Sequence, residues 1–281
     1  MHIARRAFLR NTSMATGLLF LQQPFRMLAA VSNNATYIPG NNRELFVRHS
    51  NDLHGQPLRL QPGEQGLLVD AGDFTDGSTN VAAHREMIAA MNHAGYHAAT
   101  IGNRELANGQ AALSALIPDM QFALVNCNYR FSDKALAQQV QPYKIVYAGR
   151  LKIGITGVGP QLPASSGVTY LSPVEAVNKV AANLKKQQGC QVVICLSHLG
   201  YQQSGTDVNN YHIATHSSHI DSIIGGHQHE FLQGTMVLRN ALNHEVYLSH
   251  AGGNGQMIGK TQMLFNDDLQ GCGVLPSMME V

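Results

Sequence analysis

The 281-residue sequence contains no tryptophan, and only 13% of its residues carry a charge. Aromatic residues amount to 6%, so no obvious platform for stacking a planar ligand is evident. A formal net charge of +1 gives no basic footprint for a nucleic-acid polymer or an acidic membrane surface. No apolar run approaches the ~20 residues that span a bilayer as a helix. The four cysteines, Cys127, Cys190, Cys195 and Cys272, include no C-x-x-C pair, which argues against a cysteine-zinc knot and a dense disulfide framework. Cys190 and Cys195 are five apart in what reads as one strand, so their side chains point to opposite faces and free thiols are expected. Internal repeats and low-complexity tracts are also missing.

What is present begins with 44% hydrophobic residues, ample for a core, and 14 histidines, which make a metal site worth seeking. Residues 1–30 do not read as part of the fold. Arg5-Arg6-Ala7-Phe8-Leu9-Arg10 resembles a twin-arginine export signal. The weakly apolar run from Met14 to Leu21 and the small residues of Leu28-Ala29-Ala30 complete that pattern. The alternative is an ordinary basic amphipathic terminus. Export to a bacterial periplasm is the expectation, with residues 31–281 forming the mature domain.

From Glu44 onward, short apolar runs alternate with helical spacing, which argues for a layered α/β architecture. Strands are expected at Leu45–Val47, Leu67–Val69, Phe122–Val125, Val192–Leu196, Ile220–Ile224, Glu245–His250 and Gln256–Phe265. A hairpin is expected where Gly149-Arg150 separates Tyr143–Ala148 from Leu151–Gly157. Helices are expected over Thr79–Gly95 and over Pro173–Gln188, the latter with Ser172 as its cap. Five polar clusters follow apolar runs directly: Asp52-Leu53-His54-Gly55, Gly72-Asp73, Gly102-Asn103-Arg104-Glu105, Ser197-His198 and Gly226-His227-Gln228-His229. In open α/β sheets, ligands collect at such strand ends, because loops converge there while the sheet stays rigid.

Asp52 and His54 are one residue apart, so in an extended segment both side chains meet one cation. His227 and His229 repeat that geometry. Asp73 follows a glycine that permits close backbone approach, which places its carboxylate between two cations. Asn103 adds a carbonyl oxygen and His198 a nitrogen. Oxygen and imidazole without thiolate suit two divalent metal ions such as Zn, Mn or Fe. Two such ions ~3.5–4 Å apart generate a bound hydroxide near neutral pH and clamp a phosphoryl group.

In chain order these motifs resemble those of calcineurin-like metallophosphoesterases. Ser50-Asn51-Asp52-Leu53-His54-Gly55, Asp70-Ala71-Gly72-Asp73 and Leu196-Ser197-His198-Leu199-Gly200 look like the N-terminal domain of the bacterial 5′-nucleotidase and UDP-sugar hydrolase group. The likeness covers about residues 44 to 266. It implies a four-layer α-β-β-α sandwich with two central mixed sheets. It also implies one metal held by Asp52, His54, Asp73 and His229, and another by Asp73, Asn103, His198 and His227. The implied activity is hydrolysis of phosphomonoesters or nucleotides in the periplasm.

Two departures qualify the resemblance. The family's Gly-Asn-His-Glu-Phe-Asp motif reads Gly102-Asn103-Arg104-Glu105-Leu106-Ala107, so Arg104 and Ala107 stand where a histidine and an aspartate act together. Arginine stays protonated and passes no proton, but it can bind a phosphate bidentately, so Arg104 is expected to be catalytic and, together with Asn103, substrate-binding. The sequence also stops soon after Phe265, where those enzymes join a base-binding domain. A separate protein supplying that domain is therefore an expected partner. The rival reading is a catalytically weakened metal-binding subunit of such a pair. The remaining histidines are expected in ordinary roles: His84, His93 and His97 on a surface or at caps, His49 packed beside its strand, and His212, His216 and His219 as a loose cluster. Asn126 and Asn128 are expected to cap a turn.

Overall fold

The computed structural model describes residues 35–280, apart from 59, 61–64, 202–207, 230 and 233, and gives the backbone alone at 272 and 276–280. The twin-arginine segment lies outside the described residues. In chain order the strands are β1 (Thr36–Ile38), β2 (Glu44–Ser50), β3 (Leu67–Asp70), β4 (Ala98–Ala99), β5 (Ala123–Leu124), β6 (Tyr129–Phe131), β7 (Tyr143–Ala148) and β8 (Leu151–Val158). They continue with β9 (Val168–Tyr170), β10 (Val192–Ser197), β11 (Ser222–Gly225), β12 (Met236–Arg239), β13 (Glu245–His250), β14 (Met257–Phe265) and β15 (Gly271–Glu280). The longer helices are α1 (Val81–Ala94) and α2 (Pro173–Lys186).

Two large mixed sheets result. One runs β1-β7-β8-β10-β11-β13-β12 and the other β15-β14-β2-β3-β4-β5. Each has a parallel centre: β8, β10, β11 and β13 in the first, and β2 to β5 in the second. Alternation along single strands explains how the layers bind. On β3, Leu67 and Val69 enter the core between the sheets, where they meet Ile153, Ile155, Ile194 and Leu196. Leu68 points the other way, into the core beneath α1.

Helix α1 begins where Asn80 Oδ1 accepts the amide hydrogen of Ala83 at 3.2 Å and ends at Gly95, whose φ of 82° gives the left-handed C-cap. Its buried face is His84, Met87, Ile88, Met91 and Ala94, the helical spacing of an amphipathic stripe. Ser172 Oγ caps α2 by accepting from Glu175 N at 3.4 Å, and Pro173 opens its first turn. Leu184 of α2 lies over Gly154 of β8, where a Cβ would come within 2.8 Å of its methyls. Helix, sheet, sheet and helix form the layered architecture that the sequence implies. No helix among the described residues is long and apolar enough to cross a membrane.

Cys127, Cys190 and Cys195 are buried free thiols. Cys190 precedes β10 and is not part of that strand, so the face alternation expected for it does not apply. His84 is not a surface residue: it is buried and its Nε2 lies 2.8 Å from Asp76 Oδ1. Asn126 caps the turn as expected, its Oδ1 accepting from Asn128 N at 3.1 Å and Tyr129 N at 2.8 Å.

Candidate metal centre

Six loops at the carboxyl ends of parallel strands meet at one end of the two sheets. They follow β2 (Asn51–Gly55), β3 (Ala71–Thr75), β4 (Thr100–Glu105), β10 (His198), β11 (Gly226–His229) and β13 (Ala251–Asn254). Two glycines allow the approach. A Cβ on Gly72, whose φ is 92°, would lie 2.8 Å from Gly102 N and 2.9 Å from His198 Nδ1. A Cβ on Gly102 would lie 2.2 Å from Asp73 Oδ1 and 2.8 Å from His198 Nε2. The space a side chain would need is occupied by the candidate ligands.

Ligand-capable atoms of Asp52, His54 and His229 all fall within 4.8 Å of one another, and so do those of Asp52, Asp73 and His198. His54 Nε2 is 3.8 Å from Asp52 Oδ1 and 3.9 Å from Asp73 Oδ2. His198 Nε2 is 3.8 Å from Asp52 Oδ1 and 3.3 Å from Asp73 Oδ2. His229 Nε2 is 3.7 Å from Asp52 Oδ1. His227 joins through its ring, 5.1 Å from that of His198 and edge-on to it, while the rings of His54 and His229 are 4.5 Å apart. Asn103 is exposed, between Gly102 and Arg104 on the loop that covers Asp73.

The outer nitrogens of two imidazoles are fixed. His198 Nδ1 lies 2.8 Å from Ala71 O, to which it donates, and His54 Nδ1 pairs with Asn254 Oδ1 at 2.9 Å. Both inner nitrogens, His54 Nε2 and His198 Nε2, are buried without a hydrogen-bond partner. A nitrogen that faces carboxylate oxygens in a buried space calls for positive charge between them, which a proton supplies in the metal-free chain and a divalent cation can supply in its place. These residues therefore fit a divalent metal, with ligand chemistry of the oxygen and imidazole type. Burial opposes a charge on His198, but Asp73 and Asp52 outweigh it and raise its pKa to about 9. Burial likewise raises Asp73, and His198 overcomes it, leaving that carboxyl below its ordinary value.

The carboxylates are positioned by their own shell. Asp52 Oδ2 accepts from Asn51 Nδ2 at 2.7 Å and from His227 N at 2.9 Å. Asn51 also holds the β13 loop, donating to Gly252 O and accepting from Ala251 N. Glu105, to which the sequence pattern assigned no role, clamps the Asp73 loop. Its Oε2 accepts from Asp73 N and Gly102 N, both at 2.9 Å, and its Oε1 accepts from Thr75 N and Oγ1, both at 3.0 Å. Burial first and the charge of Asp73 second push the Glu105 carboxyl up to about 7. Arg104 lies alongside: its amide donates to Asp73 Oδ1 at 2.8 Å, its Nε is 3.5 Å from Asp73 Oδ2, and its Nη1 donates to Asp76 O at 2.9 Å.

No protein-family model matches the chain. A 5′-nucleotidase of Vibrio cholerae is 26% identical over 225 residues, covering 66% of this chain and 40% of that protein. Among solved structures, a 5′-nucleotidase precursor from Thermus thermophilus matches with a TM-score of 0.74 at 21% identity, over 84% of this chain and 54% of that one. The calcineurin-like phosphoesterase YfkN from Bacillus subtilis matches with a TM-score of 0.64 at 20% identity, over 85% and 91% of the two chains. The matched region spans less than half the length of the curated relatives, 40% of the Vibrio protein and 29% of a Gloydius brevicauda venom 5′-nucleotidase. The chain is thus similar in sequence to 5′-nucleotidases and shares its fold with solved structures of a 5′-nucleotidase precursor and a calcineurin-like phosphoesterase.

Proposed function

We propose that the protein is a metal-dependent phosphoric ester hydrolase of the 5′-nucleotidase type, acting on phosphomonoesters or nucleotides. The observation that carries this reading is the pair of buried nitrogens, His54 Nε2 and His198 Nε2, which lack a hydrogen-bond partner and face the carboxylates of Asp52 and Asp73 at 3.8 and 3.3 Å. One ion is assigned to Asp52, His54, Asp73 and His229, and a second to Asp73, Asn103, His198 and His227. Zn, Mn or Fe suits these donors. Bound there, divalent ions would polarise a phosphoryl oxygen and lower the pKa of a water aligned with it. The chain's own residues supply orientation. Asn51 and the His227 amide hold Asp52, Glu105 holds the Asp73 loop, and the backbone oxygen of Ala71 fixes the His198 ring. Arg104, anchored on Asp76 O, offers a permanent charge to a phosphate oxygen and leaves the leaving group without a proton donor.

A second reading is a catalytically weakened metal-binding subunit that works with a separate C-terminal-type nucleotidase domain. It is favoured by Arg104, whose guanidinium is already engaged with Asp73, and by Ala107 in the place of a carboxylate. Turnover of nitrophenyl phosphate and AMP with added Mn decides between them. The enzyme reading expects hydrolysis that Asp52→Asn abolishes. Metal binding with no turnover of either ester favours the subunit, and turnover indifferent to Asp52→Asn contradicts both.

Twin-arginine export, removal of residues 1–30 and a periplasmic domain of residues 31–281 complete the proposal, on the strength of Arg5-Arg6-Ala7-Phe8-Leu9-Arg10. N-terminal sequencing of the protein from a periplasmic fraction is expected to start near residue 31. Accumulation of uncut chain in the cytoplasm contradicts it.

A further inference from the structure

We propose that the two cation positions are unequal, because Arg104 acts as a resident positive charge on Asp73 and weakens the position that depends on that carboxylate alone. The inference rests on the preceding reading that the cleft takes two ions. The two ligand sets differ in anionic character. The first has Asp52 as well as Asp73. The second has Asp73 as its single carboxylate, beside Asn103, His198 and His227, which ligate as neutral donors once an ion displaces any imidazole proton.

The carboxylates are also held differently. Asp52 is oriented by neutral donors, Asn51 Nδ2 at 2.7 Å and the His227 amide at 2.9 and 3.1 Å, which fix its direction, and the ionisable groups that face it are the imidazoles of His54, His198 and His229, which ligate a cation in their neutral form. Asp73 receives the Arg104 amide on Oδ1 at 2.8 Å and faces the guanidinium at 3.5 Å on Oδ2. That guanidinium does not swing freely, because Nη1 is tied to Asp76 O at 2.9 Å. The Asp73 side chain is 4% exposed and that of Arg104 37%, so solvent reaches the pair from the arginine side and screens it in part. An arginine keeps its charge at any relevant pH. A divalent ion entering beside Asp73 meets a carboxylate already part-neutralised and a like charge within a few ångströms.

Calorimetric titration of the metal-stripped full chain with Mn, followed by electron paramagnetic resonance for coupling between neighbouring ions, tests this. The expected result is one tight step and one weaker by about tenfold or more. Arg104→Ala is expected to tighten the second step and to close most of the gap, whereas Arg104→Lys keeps it open. Thermal melting checks that each variant folds, and Arg104→Gln serves should Arg104→Ala unfold. A single step in the parent that becomes two in the neutral variant also supports unequal positions. Two equal steps in the parent, or an unchanged gap in the neutral variants, overturn the role of Arg104 while leaving the two-ion reading intact. Failure of the parent chain to bind any ion removes both.

Discussion

Five of the seven candidate ligands stand in left-handed backbone: Asp52, His54, Asp73, His227 and His229 have φ of 52°, 49°, 57°, 87° and 54°. An L-residue there costs ~1–2 kcal/mol, so these loops hold strain that their hydrogen bonds maintain. The spacing Asp-x-His was legible in the sequence, and Asp52 and His54 do share a side. The reason differs from the extended segment expected, because positive φ at both positions turns the side chains inward. Glu105 was less legible, since its role depends on Asp73 and Thr75 folding back across about thirty residues of chain. Two outcomes follow at this scale. His229→Gly, which removes a ligand and relieves one strained residue, is expected to match or exceed the parent in metal-free melting temperature and to lose most of the rise produced by Mn; melting curves with and without the ion check it. Arg104→His with Ala107→Asp is expected to raise hydrolysis of alkoxide-leaving esters by ~10²-fold or more, through a proton donor that arginine does not provide. Unchanged phosphatase rates would falsify that assignment of Arg104.

At the scale of elements, the strongly patterned segments were readable: β2, β3, β7, β8, β10, β13, β14, α1 and α2 lie where periodicity and caps put them. Strand β15 was not, because Gly271, Gly273 and Pro276 in its sequence read as turn residues. It is tolerated at a sheet edge, where among the described residues it pairs with β14 alone. The short strands β1, β6, β9 and β12 carry too few residues for a pattern to register. One inter-element contact was also out of reach. His49 of β2 meets Ser249 Oγ of β13 at 2.9 Å, across the two sheets, and its ring lies against Gly259 of β14. A Cβ on Gly259 would sit 2.0 Å from His49 Nε2, so Gly259→Ala is expected to destabilise the fold by ~1–3 kcal/mol in urea unfolding. Burial, and then the neighbouring charge of His250, lower the His49 pKa to about 3. The unfolded chain binds a proton on this imidazole below about pH 6.5 and the folded chain does not, until pH nears 3. Stability from this group is therefore complete above pH 6.5 and falls as pH drops, by up to ~1.4 kcal/mol per unit. His49→Gln is expected to flatten that slope between pH 6.5 and 4.5, measured by urea unfolding at several pH values.

At the scale of the whole molecule, two mixed sheets bring loops from both halves of the sequence to one cleft, so that Asp52 and His229 meet although 177 residues separate them. The order of the polar clusters along the chain made this cleft legible, because each lies where a parallel strand ends. Which nitrogen of each histidine faces inward was not legible, since Ala71 O and Asn254 Oδ1 set it from distant loops. The most direct measurement is anomalous diffraction at the metal edge from crystals of the full chain grown with Mn or Zn. Peaks are expected between the side chains of Asp52, Asp73, His54 and His198, with ligand distances of ~2.0–2.2 Å for Zn. Well-ordered side chains in that cleft with no anomalous peak among them, at saturating metal, would contradict the assignment of the site.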